Sequence, residues 1–183
     1  MSHWDRSEAS DEDLVRRARD GDEEALGALV RRHSEAVYRV ALSIAGDPDL
    51  AQDVSQDAFL KAFRALRGFR GEAAFRTWLL TIAANTARGA LRRQGRRRET
   101  DIDSAPPVAS QEKAPDENAE LSSESVRARR ALARLPEKQR LSIQLRVDEG
   151  LSFREIGELI GSTEGAARVN YFHGIRKLRE WME

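Results

Sequence analysis

Apolar positions recur every three to four residues through most of the chain, the spacing of helices that bury one face. Ser10 stands where it can cap a helix carrying Leu14 and Val15. Asp22 can cap a second helix with Ala25, Leu26, Leu29, Val30, Val37, Val40, Leu42 and Ile44, which Gly46 ends. Asp47-Pro48 supplies a cap followed by proline at the first helical position, and Leu50, Val54 and Ala58 then fall four apart, with Phe59, Phe63 and Leu66 widening the face. Gly68 and Gly71 bracket the short loop GFRG. After it, Phe75, Trp78, Leu79, Ile82 and Thr86 predict the buried side of another helix, and Thr81, Asn85, Arg88 and Arg92 its polar side.

From Glu99 to Ser125 the periodicity collapses into an acidic stretch with three of the five prolines and few large apolar residues. It reads as a flexible linker. Periodicity returns with Val126, Leu132 and Leu135, and Pro136 then opens a helix with Leu141, Leu145 and Val147. Gly150 breaks that helix, and Ser152-x-x-Glu155 forms a capping box for a short one bearing Ile156, Leu159 and Ile160. Gly161 makes a turn, and Ser162 is positioned to cap the last helix. The pattern predicts an all-α chain of two small helical domains, 1–98 and 126–183, joined by the linker 99–125.

Composition narrows the function classes. Aromatics are only 6% and charged residues 34%, which favours helices with wide solvated faces over sheets. With no cysteine, disulfides, thiolate metal sites, cysteine nucleophiles and direct thiol redox sensing are excluded. The scattered His3, His33 and His173 form no metal motif and read as surface or boundary imidazoles, so no metal and no cofactor are expected. No nucleotide-binding glycine loop, HExxH or nucleophile elbow is present, so the chain is not expected to be an enzyme. The acidic start and the lack of a long apolar run predict a cytoplasmic protein without direct membrane contact.

The net charge of +0 hides segregation along the chain: acid gathers at SDEDL and GDEEA near the start of the first block and again between Asp101 and Glu124, base in RGALRRQGRRR. Two faces therefore qualify for nucleic acid. The stretch LSFREIGELIGSTEGAARVNYFHGIRKLR reads as a helix-turn-helix, whose second helix normally enters the major groove. In one phase Ala167, Tyr171, Gly174 and Leu178 are core and Val169, Phe172, His173 and Arg176 face outward, with Arg168 and Arg179 at the edge. In the other phase Val169 and Phe172 are core. The second face is Asn85, Arg88 and Arg92 beside Phe69, Phe75 and Trp78, suited to phosphates and to stacking unpaired bases.

In order, these parts resemble bacterial sigma factors of the extracytoplasmic-function (ECF) group. AQDVSQDAFLKAFRAL is similar to the polymerase-binding helix of region two, FRGEAAFRTWLLTIAANTARGALRR to the segment that handles the −10 element, and LARLPEKQRLSIQLRVDEGLSFREIGELIGSTEGAARV to region four, which reads the −35 element. The resemblance implies transcription initiation with core RNA polymerase on promoter DNA, docking to the β′ clamp helices and β flap, and control by an anti-sigma factor. It implies polymerase contacts at Asp53, Gln56, Asp57 and Phe59. It implies −10 contacts at Phe69, Arg70, Phe75, Trp78, Asn85, Arg88 and Arg92, with the loop from Phe69 to Ala74 taking a flipped base. It implies −35 contacts at Arg168, Val169, Phe172, His173 and Arg176. The recognition helix departs from the family pattern, with Val169 and Asn170 where Ser and Arg are common and His173 where Arg is. A stand-alone helix-turn-helix regulator and a polymerase-binding adaptor without initiation activity are the competing readings.

Overall fold

A computed structural model describes residues 9–101 and 123–182, and all of the secondary structure among them is helical. Helix α1 (Asp11–Arg19) is capped by Ser10, whose hydroxyl accepts from the Asp13 amide at 3.2 Å. Helix α2 (Glu23–Ala45) is capped by Asp22 and closes on Gly46, which adopts a left-handed φ of 68°. Helix α3 (Pro48–Ala65) is capped by Asp47, which accepts from the Leu50 amide at 2.7 Å. Each cap satisfies an amide that the first helical turn leaves open. A 3-10 turn, Leu66–Gly68, then leads through a loop into the long helix α4 (Phe75–Asp101).

Helix α4 is more deeply buried than its pattern predicts. Besides Phe75, Leu79 and Thr86, the core takes Leu80, Ala83, Ala84, Ala87 and Ala90. The alanines are no part of the apolar face that the spacing predicts, but they let α2 and α3 pack closely along the helix. His33 also departs from expectation: the imidazole is 4% exposed, beside the Phe75 ring, with Nε2 2.8 Å from the Asp11 carboxylate. Burial is the main cause that lowers its pKa from the ordinary value, against the opposing pull of Asp11.

The second half comprises α5 (Ser123–Ala133), α6 (Glu137–Val147), α7 (Phe153–Leu159) and α8 (Glu164–Met182), with α8 packed on the other three. Leu141 and Leu145 are buried as expected, but Val147 is 63% exposed and Ile143 fills the core in its place. Ser152 and Glu155 form the expected capping box of α7. Thr163 rather than Ser162 caps α8, its hydroxyl accepting from the Ala166 amide at 3.2 Å. Two glycines set the packing distances. A Cβ on Gly157 would lie 2.9 Å from the Thr163 carbonyl carbon, and one on Gly174 would lie 2.7 Å from Ile143 Cδ1.

The two halves also pack on each other. One buried cluster runs from Leu14 through the α4 alanines to Leu141, Leu159 and Ala167, and α7 lies against α4 while α6 lies against α2. Helix α4 reaches Asp101 and α5 begins at Ser123, so the expected linker falls for the most part outside the described residues.

Candidate nucleic-acid interface

Three faces contain the residues singled out by sequence. On α3, Asp53, Gln56 and Asp57 are exposed along one side. Phe59 is not part of that face. It is 9% exposed and packs beside the Phe63 ring, with centroids 5.9 Å apart, because it falls on the side of α3 turned to the core. The apolar group actually presented beside Asp57 is Leu60, 53% exposed.

The second face is the entrance of α4. Phe69 and Trp78 are half-buried with ring centroids 4.9 Å apart, and Arg70 stands in solvent. Phe75 is withdrawn. At 3% exposure it lies under both rings, so it supports the aromatic cluster rather than offering a stacking surface. Asn85 and Arg92 are exposed, whereas Arg88 is half-buried and donates to Glu137. Arg19 was not foreseen. From α1 it donates to the carbonyls of Leu66 (3.1 Å) and Phe69, and its guanidinium lies 5.9 Å from the Phe69 ring centroid. It ties down the start of the loop 69–74 from about fifty residues upstream, a separation across which no periodicity signals contact.

The third face is α8, and its phase is the outward one. Ala167 and Gly174 are buried, while Val169 and Phe172 are 53% and 58% exposed beside His173 and Arg176. Arg168 is held by Glu164 at 2.9 Å and by the Phe153 ring, whose centroid lies 5.4 Å from its guanidinium. Arg146 approaches the same ring at 5.1 Å. An aromatic residue opening α7 thus carries two cations, an arrangement that spacing alone does not reveal.

The match to known families agrees with this layout. Sigma-70 region 2 matches residues 29–97, and Sigma-70, region 4 matches residues 125–178. The ECF RNA polymerase sigma-E factor of Escherichia coli K12 is 38% identical over 171 residues, covering 89% of each chain. This chain belongs to the ECF family of RNA polymerase sigma factors.

Other relatives extend the likeness of this ECF sigma factor. The RNA polymerase sigma-H factor of Pseudomonas aeruginosa PAO1 is 34% identical over 174 residues, covering 91% of this chain and 90% of the relative. In solved structures, CnrH in complex with the cytosolic domain of CnrY has a TM-score of 0.64 at 26% identity, covering 93% of this chain and 95% of that one. The sigma factor RpoE in complex with the anti-sigma factor NepR from Bartonella quintana shares the fold, with a TM-score of 0.69 at 22% identity, covering 90% and 97%. The activity of the family is promoter-directed transcription initiation rather than catalysis in the usual sense. Among the described residues no helix is long and apolar enough to cross a membrane.

Proposed function

We propose that this ECF sigma factor engages core RNA polymerase through the exposed Asp53, Gln56, Asp57 and Leu60 side of α3, and promoter DNA through α4 and α8. The observation that carries the DNA assignment is α8, which turns Val169 and Phe172 into solvent together with His173 and Arg176, on a helix-turn-helix whose core is formed by Ile156, Leu159, Ile160 and Ala167. Large apolar side chains there can meet thymine methyl groups while cations meet phosphates and guanine edges. Arg168 and Arg176 are the cations of that face for the −35 element.

At the −10 element, Phe69 and Trp78 offer ring surface for an extruded base, Arg70 stands at the loop that would receive it, and Asn85, Arg88 and Arg92 line the route of the strand. Strand opening by a factor without a nucleotide motif must draw on tighter binding to the unstacked strand than to the duplex. Residues 1–98 and 126–183 then act as two DNA modules whose spacing polymerase fixes, and simultaneous engagement raises the effective concentration of each at its element. The chain works in the cytoplasm, with an anti-sigma factor as its regulatory partner; the solved relatives complexed with NepR and CnrY support that partnership.

Titration against core polymerase tests the reading. Asp57→Arg is expected to weaken binding at least tenfold, the order of loss for a reversed interfacial charge, while leaving the helical fold intact by circular dichroism. Undiminished binding by the variant would remove α3 from the interface.

A further inference from the structure

Arg19 directs its donors at backbone. It is the last residue of α1, a helix fixed to the core by Leu14, Val15 and Ala18, so its half-buried side chain leaves from a set point. Nε donates to the Leu66 carbonyl at 3.1 Å and Nη2 to the Phe69 carbonyl. Leu66 opens the 3-10 turn, and its carbonyl already accepts from the Phe69 amide at 3.2 Å, so Arg19 takes the second lone pair. Phe69 lies past the end of that turn, where the chain has become extended, with φ −67° and ψ 116°. The turn supplies its carbonyl no donor, and Arg19 does.

This hold falls at the entrance of the loop 69–74. At the exit, where α4 begins, the Ala74 carbonyl accepts from the Trp78 amide at 3.1 Å. A guanidinium is a rigid planar fork, so two donors engaged at once fix how the Leu66 and Phe69 peptides stand to each other, and with them the direction in which Phe69 leaves the turn. The ring on that residue is the one that lies 4.9 Å from Trp78 and 5.9 Å from Phe75. The guanidinium is 5.9 Å from the Phe69 centroid, at the outer limit of a cation–π contact, so the carbonyl bonds carry the hold. Sigma-70 region 2 matches residues 29–97, and Arg19 stands upstream of the matched segment.

We propose that Arg19 is a positioning residue of the −10 site, which presets the entrance of the loop 69–74 and the Phe69 ring for an extruded base. The inference rests on the −10 role given to that loop above. A site shaped before its ligand arrives loses less ordering entropy when the ligand binds. With its donors turned inward, Arg19 offers none to a phosphate. Its effect therefore belongs to the captured base, and the rest of the strand should not feel its loss.

Holoenzyme is titrated with the single-stranded non-template −10 element of a promoter that it opens, intact or with each base in turn replaced by an abasic site. In the parent, one position is expected to cost at least about fivefold when abasic, the scale of one base stacked on an aromatic ring. Arg19→Ala is expected to shrink that ratio to less than about twofold by weakening the intact strand alone, with polymerase binding and helicity by circular dichroism unchanged. Arg19→Lys keeps the stem and the charge but not the fork, so it holds the packing if alanine does not, and it is expected to lose the ratio as well. A ratio kept at the parent value in either folded variant overturns the proposal. Equal weakening of intact and abasic strands also overturns it, and would make Arg19 a phosphate contact or a packing residue. A parent indifferent to every abasic position shows, before any variant is made, that the loop captures no base, and the proposal falls with that reading.

Discussion

Single residues set two constraints that can be measured directly. Gly157 lies where the turn of the helix-turn-helix folds back on α7, and any Cβ there meets the Thr163–Glu164 backbone at 2.9 to 3.0 Å. Backbone cannot swing aside as a flexible side chain can, so Gly157→Ala is expected to cost about 2 kcal/mol, read as a lower urea midpoint with unchanged slope. His33 gives a pH dependence whose sign follows from its burial. The fold holds the imidazole below its ordinary value of 6.5, so the unfolded chain binds the proton first as pH falls. The contribution is complete above that ordinary value and is lost as pH drops through the lower folded one. Urea midpoints are expected to be lower at about pH 5.5 than at about pH 7.5, and His33→Gln is expected to flatten the difference. Equal midpoints in the parent chain would show that the imidazole protonates inside the fold at no cost.

At the scale of the element, Phe153 shows how α7 prepares α8. Its ring lies against Tyr171 and Phe172 and under the guanidinium of Arg168, so it positions a cation of the proposed −35 face without touching DNA. Phe153→Ala is expected to weaken holoenzyme binding to −35 duplex about threefold, the scale of a partly exposed cation–π contact, and Phe153→Tyr to restore it. Loss in both variants would assign the ring a packing role alone. Helix limits were legible because they depend on local chemistry: Ser10, Asp22, Asp47 and the Ser152–Glu155 box each cap the helix they were expected to cap. Faces were less legible. Phe59, assigned a polymerase contact by the resemblance although its spacing sets it on an apolar face, and Phe75, on a buried side by its spacing but grouped with the rings beside the polar stripe, both face the core and leave Leu60, Phe69 and Trp78 outside. The misplaced cap at Ser162 differs by one residue from the true one, since Ser162 and Thr163 offer the same hydroxyl chemistry.

On the scale of the whole molecule, sequence carried the order of the parts but not their association. Arg39 pairs with Glu149 from 110 residues away and Arg88 with Glu137 from 49, and no periodic pattern links residues across an acidic, proline-bearing stretch. The alanines of α4 were equally silent, because a small residue signals close packing only once a neighbour is known to be there. That helix touches α1, α2, α3 and α7, so it is packed from both halves, as α2 is through α6. Its middle turns cannot open to water without first undoing the packing on every side. In hydrogen–deuterium exchange the amides from Leu79 to Ala87 should therefore be the last to exchange and should report the global unfolding free energy, whereas the amides of α8 should exchange earlier, through openings that leave α4 intact. The segment proposed to line the route of the separated strand would then be the most slowly breathing part of the described residues: a rigid bed whose shape is fixed before DNA arrives.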